Sequence, residues 1–232
     1  TTIIEFGHRV TSAVAGVAVL ALVIWSVVSF PRRHRVVRMA IASLVFIAAE
    51  AYLGRGLVKI AQDGSVGFAS YLSLHLVNTL LLLGALTLTA WYSQERRDQG
   101  RWSPVVAGTL VIAILVSVTG AIAALGDTLF PASSLAEGMR QDASSTASFL
   151  VRLRIVHPVL AVLAAAYFAF VAIKALPQAR IAVFVLVLAL AQVGAGAINL
   201  ALLAPIGMQI LHLLLADLLW ISLVLLTVET SD

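Results

Sequence analysis

Four of the five histidines in this sequence lie in long apolar stretches. Ionisable side chains inside a membrane-length apolar segment are rare and usually functional. Each of these histidines stands near the start of its stretch, in the first, third, fifth and seventh stretches along the chain. Because a helix rises about 1.5 Å per residue, the four rings are expected at one depth. They are His8, His75, His157 and His212.

Imidazoles arranged in this way favour one kind of ligand. Zinc or copper would favour a tight cluster helped by carboxylate or sulfur, and a proton path would spread its histidines over several depths. Heme iron takes two axial imidazoles from opposing helices, which a helical bundle can supply. The sequence therefore predicts two histidine pairs, each able to hold one heme.

Charged residues accompany the histidines. Glu5 precedes His8 by three residues, so a helix places both on one face; acid–base work and a charge favoured at a helix start are the two explanations. Glu50 and Asp217 lie deeper without an assigned role, and His34 stands in a basic loop. Five cations share the histidines' side of the membrane, as heme-propionate partners or as residues snorkelling to headgroups. They are Arg9, Arg55, Lys59, Arg152 and Arg154.

The elements that position these residues are transmembrane helices. Hydrophobic residues make up 61% of the chain and charged residues 11%, against about 45–50% and 25% in soluble domains. A spanning helix needs about 20 apolar residues, and runs of this length exclude the shorter strands of a barrel. The predicted fold class is an all-α integral membrane protein with seven transmembrane helices. The spans are 10–30, 39–62, 69–93, 102–126, 149–173, 181–203 and 208–228.

Basic residues predict the direction of the spans. Nine of the 15 Lys and Arg residues lie in the loops after the first, third and fifth spans, which makes these loops cytoplasmic. We therefore expect an inner-membrane protein with its first residue outside, its last inside and its histidines in the outer half. This accounts for the net charge of +4 without a nucleic-acid partner. With no cysteine, disulfides, thiolate metal sites and cysteine nucleophiles are excluded.

The histidine pairs also indicate an internal repeat. Each pair brackets one intervening span, and both intervening spans carry a polar residue four positions before a glycine, as Glu50 to Gly54 and Gln192 to Gly196. Glycine would let the backbone approach a flat macrocycle closely. The repeat predicts two four-helix bundles, residues 1–101 and 102–232, with a further helix expected before Thr1.

Short motifs along essentially the whole chain resemble those of the heme A synthase family. Glu5-Phe6-Gly7-His8-Arg9 resembles the Glu-x-x-His-Arg motif of that family. The segments around His75, His157 and His212 resemble its other histidine sites in order and spacing. Thr119-Gly120-Ala121-Ile122 and the following residues through Pro131 resemble its segment between the halves. Many members carry an external cysteine pair that this chain lacks.

The resemblance implies oxidation of the C8 methyl group of heme O to a formyl group, which gives heme A for cytochrome oxidase. It implies that His8 and His75 bind the substrate heme, with Glu5 as the catalytic carboxylate. It also implies that His157 and His212 bind a heme b that relays electrons from an unidentified donor. Heme O synthase, cytochrome oxidase assembly proteins and a second copy of the chain are the protein partners that it suggests.

Two other interpretations remain open at this stage. A non-catalytic bis-histidine di-heme cytochrome that takes electrons from quinol needs the same histidines, but it does not need Glu5 beside His8. A transporter or scaffold subunit of the respiratory chain would need neither the four histidines nor Glu5.

Overall fold

The structure, a computed structural model, describes residues 2–60, 65–94 and 103–230, with side chains from Phe6 onward. The described residues form eight helices. Seven of these are long and apolar enough to cross a membrane, which confirms the predicted all-α integral membrane fold. The helices are α1 Thr2–Ser29, α2 Arg35–Lys59, α3 Val66–Tyr92, α4 Pro104–Leu129, α5 Leu135–Asp142, α6 Phe149–Ala175, α7 Ile181–Ala201 and α8 Ile206–Glu229.

Helix starts follow local sequence signals. Ser65 caps α3 by accepting the backbone N–H of Phe68 at 3.2 Å, and Ser148 caps α6 by accepting that of Val151 at 3.4 Å. Such caps satisfy donors that a helix start would otherwise leave unpaired. Pro104 opens α4, where its missing N–H costs nothing.

The long apolar run near the C-terminus is divided as predicted. α7 ends at Ala201 and α8 begins at Ile206, with Pro205 as the residue before the new helix. Leu203 and Ala204 both have positive φ, at 60° and 53°. These angles are strained for residues with a side chain, and Gln209 supports the turn by donating to the carbonyl of Ala204 at 2.6 Å.

The largest core lies among α4, α6, α7 and α8. Small residues, including Ala172 and Ala182, let these helices approach closely, while Val185, Leu223 and Leu226 fill the space between them. Close packing of small residues is the usual basis of helix association in lipid. This core holds α6 and α8, which carry His157 and His212, in fixed positions.

The N-terminal helices are joined to this core through α3. α1 packs on α2 and α2 packs on α3, while α3 contacts α4 and α8. Leu80 of α3 is buried against Trp220 and Val224 of α8, and Phe68 is buried against Leu125 and Leu150. The proposed boundary between residues 101 and 102 lies outside the described residues, so the division into two bundles stays a prediction.

One helix was not expected from the sequence. The segment at 127–148 lies between the fourth and fifth predicted spans, yet it contains α5. Ser134 caps α5 by accepting the N–H of Glu137 at 3.2 Å. The carboxylate of Glu137 in turn accepts the N–H of Ser133 at 2.8 Å and its hydroxyl proton. These reciprocal bonds resemble a capping box, which stabilises a helix start locally.

Candidate functional site

The four predicted histidines lie on alternate membrane helices. His8 is on α1, His75 on α3, His157 on α6 and His212 on α8, each in the N-terminal half of its helix. The structure brings one of the two predicted pairs into ring contact, His157 with His212. For the other pair, it places His75 in a polar pocket between α2 and α3, and it leaves His8 exposed on α1.

The rings of His157 and His212 face each other between α6 and α8. Their centroids lie 6.4 Å apart, with the ring planes at 88°. A metal–imidazole bond is about 2 Å long, and adding the ring radii gives a separation of about 6 Å for two imidazoles on one metal. The centroid separation is therefore of the size that two imidazoles binding one metal ion would have.

Two glycines form a cradle for this pair on the neighbouring helices. A Cβ atom on Gly120 of α4 would lie 2.9 Å from Cε1 of His157, and one on Gly196 of α7 would lie 3.1 Å from Cε1 of His212. Real Cβ contacts are rarely this short, so a larger residue would push either ring aside. Glycine at these positions lets both rings lie directly against a helix backbone.

The hydroxyl of Thr119 orients the ring of His157. Its Oγ1 lies 3.1 Å from His157 Nδ1 and donates to the carbonyl of Val116 at 2.7 Å. Because a hydroxyl has one proton, the bond to Val116 leaves a lone pair of Oγ1 to accept Nδ1–H. That tautomer carries an unprotonated Nε2, the form of imidazole that binds a metal.

The surroundings of His212 contain buried polar atoms that lack a hydrogen bond. Gln192 Nε2 lies 3.2 Å from His212 Nε2. His212 Nδ1, Gln192 Oε1 and Asn199 Oδ1 are buried without a partner. Buried polar atoms are nearly always satisfied in native proteins. The unpaired ring nitrogen of His212, together with the glycine cradle, fits a site whose histidine would bind a metal such as heme iron.

His75 has a carboxyl neighbour on the adjacent helix. Glu50 Oε1 of α2 lies 3.4 Å from His75 Nδ1, an ionic distance without the alignment of a hydrogen bond, so Nδ1 counts as an unbonded buried atom. A Cβ on Gly54 would lie 3.5 Å from Cε1 of the same ring. Sequence reasoning left Glu50 without a role, although its spacing from Gly54 matches that of Gln192 from Gly196.

The other predicted residues of the N-terminal site are less enclosed. The backbone of Glu5 is helical, but its side chain lies outside the described residues. Arg9, Arg55 and Lys59 have exposed side chains near helix ends. Asp217 is half-buried on α8.

The two arginines near the start of α6 differ in exposure and in the number of bonds that they make. Arg152 is exposed and donates to the carbonyl of Ser145. Arg154 is 9% exposed and bonds Asp142 at 2.8 Å and Asp127 at 3.1 Å. It also donates to Gln141 Oε1 and to the carbonyl of Phe130, both at 3.1 Å. Its guanidinium thus joins the end of α4, α5 and the start of α6.

The helices define a multi-pass helical membrane protein, and two histidine rings lie close together between its spans. A family model described as "COX15-CtaA: Cytochrome oxidase assembly protein" matches residues 1–224. The chain therefore belongs to the COX15-CtaA family, as its motifs predict.

Curated relatives carry two different names. A Thermus thermophilus protein named protoheme IX farnesyltransferase is 38% identical over 245 residues, which cover 100% of this chain and 40% of that protein. The heme A synthase of Exiguobacterium sibiricum is 28% identical over 127 residues, 52% of this chain and 41% of that protein. That of Symbiobacterium thermophilum is 33% identical over 96 residues, 41% of this chain and 30% of that protein. The chain thus spans about two fifths of the length of the first of these relatives.

Proposed function

We propose that this chain carries the activity of a heme A synthase, which oxidises the C8 methyl group of heme O to a formyl group and so yields heme A for cytochrome oxidase. Membership of the COX15-CtaA family supports a role in oxidase assembly, and relatives named heme A synthase support the reaction. The observation that carries the proposal is the His157–His212 pair at 6.4 Å.

His157 and His212 are proposed to hold a heme b. In this role Thr119 sets the tautomer of His157, and Gly120 and Gly196 keep both rings against the helix backbones. A heme held by two imidazoles supplies one-electron transfer. The protein contributes ligation, orientation and exclusion of water, since the surrounding helices bury the pair in an apolar environment.

His75 and His8 are proposed to hold the substrate heme, with Glu5 as the catalytic carboxylate. His75 is already placed against Gly54 and Glu50. His8 and Glu5 share a face of α1 by their spacing. Conversion of a methyl to a formyl group adds one oxygen atom and removes four electrons from the substrate. It therefore requires an oxidant, for which we propose dioxygen, and any further electrons used to reduce the dioxygen would come from a partner of unassigned identity.

The exposed cations near the histidine ends of the helices are proposed to bind heme propionates. Arg9, Arg55, Lys59 and Arg152 are exposed and can reach a surface-facing carboxylate. Arg154 is the weakest of the five candidates, because its donors are already bonded to Asp127, Asp142 and their neighbours.

The proposed setting is the inner membrane, with the histidine ends of α1, α3, α6 and α8 facing outward. The basic loops after the first, third and fifth spans support this orientation. The partners would be lipid and heme O, and heme O synthase, oxidase assembly proteins or a second copy of the chain are proposed contacts.

The name of the Thermus thermophilus relative is compatible with this proposal. This chain matches 40% of that protein, so most of that protein lies outside the matched region. A protein named for farnesylation of protoheme IX would make a farnesylated heme, which is the chemical class of heme O. If such a protein also contains a region of the COX15-CtaA family, one polypeptide would carry out two successive modifications of the same heme.

The proposal is tested in cells that make heme O but no heme A. The full-length protein and its H8A, H75A, H157A and H212A variants are expressed, and hemes are extracted and separated. We expect heme A with the native protein and its loss in all four variants, with heme b lost only for His157 and His212. The control is H34A, because His34 lies in a loop where it caps α2 through Val36.

A non-catalytic di-heme cytochrome is the second candidate. It is favoured by the His157–His212 pair, because a heme bound by two histidines is sufficient for electron transfer and does not require that heme O be converted. In the same assay this candidate predicts a purified protein with heme b and no conversion of heme O. Heme A formation that survives replacement of Glu5 and His8 would also contradict the proposed enzyme.

A further inference from the structure

Glu50 stands at the centre of a polar cluster between α2 and α3. Asn78 Nδ2 donates to Glu50 Oε2 at 2.5 Å and to the carbonyl of Phe46 at 2.8 Å. Thr79 Oγ1 lies 2.5 Å from Glu50 Oε1, and His75 Nδ1 lies 3.4 Å from the same oxygen. An amide, a hydroxyl and an imidazole thus converge on one carboxyl group, which is the environment that a carboxylate requires inside a membrane.

Gln192 occupies the equivalent position beside the other heme site. It lies four residues before Gly196, as Glu50 lies four residues before Gly54. In both halves, a Cβ added to the glycine would meet Cε1 of the histidine on the next helix, at 3.5 Å for Gly54 and 3.1 Å for Gly196. Glu50 Oε1 lies 3.4 Å from Nδ1 of His75, whereas Gln192 Nε2 lies 3.2 Å from Nε2 of His212. The two sites therefore both place a glycine and a polar residue of one helix beside a histidine of the next, and they differ in the ring nitrogen contacted and in having a carboxyl group or a neutral amide beside the ring.

We propose that Glu50 is a positioning residue for His75, and that the difference between Glu50 and Gln192 gives the His75 centre a lower reduction potential than the His212 centre. This inference rests on the proposed function only in taking both histidines as heme ligands. The Glu50 carboxylate lies 3.4 Å from Nδ1 and would accept Nδ1–H once the ring turns into line with it, which would leave Nε2 for the iron. Gln192 fixes its ring without adding charge.

The expected difference in potential follows from electrostatics. A negative charge beside Nδ1–H makes the imidazole a stronger electron donor, and a negative charge near iron stabilises its ferric form over its ferrous form. Hydrogen bonding beyond the direct ligands and local charge are established controls of heme potential. In the low dielectric between membrane helices, such a charge acts more strongly than in water.

The test is a redox titration of the purified full-length protein, loaded with hemin where a site is empty and followed by optical and electron paramagnetic resonance spectra. E50Q should raise the potential of one centre and leave the other unchanged. Q192E should lower the potential of the centre that E50Q does not affect. E50D, which keeps the charge, should keep the affected centre closer to its native potential than E50Q does. The control is E137Q, the same replacement on α5 away from both sites.

Unchanged potentials in E50Q with both hemes bound would overturn the inference, as would E50Q and Q192E acting on the same centre. If E50Q loses its heme, the decision falls to Q192E, whose failure to lower a potential contradicts the inference. A protein that shows both shifts but makes no heme A would remove the proposed reaction and leave the role of Glu50 standing. Heme A synthesis without either shift in potential would support the proposed reaction and remove the role given to Glu50.

Discussion

The indole N–H of Trp220 donates to the backbone carbonyl of Leu80 at 2.7 Å. This bond joins α8 to α3 at a buried contact that also includes Val224, and a Cβ added at Gly84 would meet the indole at an ordinary contact distance of 3.6 Å. It couples the helix that carries His212 to the helix that carries His75. This hydrogen bond is thus one of the contacts that join the helices carrying the two proposed heme sites.

Replacing Trp220 by Phe should destabilise the protein by about 1 kcal/mol, because one interhelical hydrogen bond in a membrane protein contributes about that much and the smaller ring leaves a gap. Unfolding in mixed micelles by titration with a denaturing detergent measures the change. W25F is the matched control, since Trp25 is 46% exposed. Equal midpoints for W220F and the native protein would contradict the role given to this bond.

Arg154 is predicted to hold the external segment in place. R154Q should lower the stability of that segment by about 2 kcal/mol, because it leaves Asp127 and Asp142 without their cation, while exposure of Asp127 limits the loss. Faster amide hydrogen exchange at 135–148 is the expected readout. R152Q should leave the exchange nearly unchanged, since the exposed Arg152 has one bond to Ser145. Equal exchange rates in R154Q and R152Q would contradict the role of Arg154 in holding this segment.

The start of α5 should depend on pH through Glu137. The hydroxyl of Ser133, followed by its backbone N–H, lowers the pKa of the Glu137 carboxyl below its usual value. A carboxyl with a lowered folded-state pKa contributes stability above its unfolded pKa and loses it as pH falls through the folded value. Hydrogen exchange in α5, corrected for intrinsic rates, should therefore accelerate at acid pH. E137Q should remove this dependence; an identical pH response in E137Q would contradict it.

Much of the fold follows from the sequence, because a membrane helix satisfies its own backbone and needs little long-range information. The apolar runs locate all seven spans, and Pro205 marks the break between α7 and α8. α5 escapes prediction because it is only eight residues long, four of them polar, and depends on Ser133, Ser134 and Arg154 for its fixed position. Spacing alone could not show these contacts.

The candidate site is predictable to a similar degree. Depth predicts four histidines at one level; the structure brings His157 close to His212 and leaves His8 exposed, so the heme sites stay a prediction. The sequence could not show that Glu50 faces His75, or that Arg154 turns towards Asp142, because both depend on how neighbouring helices are rotated. The sequence signal for Glu50 was its position four residues before Gly54. It indicates a role beside a histidine only when it is compared with Gln192, four residues before Gly196.

Gly120 provides the sharpest test of the His157–His212 centre. In G120A, the added Cβ would lie 2.9 Å from His157 Cε1, so the ring must move and one imidazole should leave its position opposite His212. We expect the full-length protein to lose at least half of its heme b, as measured by the pyridine hemochrome assay, with the bis-imidazole spectrum weakened in the remainder. G16A is the matched control, since Gly16 lies in the middle of α1 with nothing within 4 Å of an added Cβ. Alanine there should keep the full heme content and raise helix stability by up to about 1 kcal/mol. Because both variants add the same methyl group to a membrane helix, a selective loss in G120A reports on the histidine ring, and full heme in G120A would contradict the cradle.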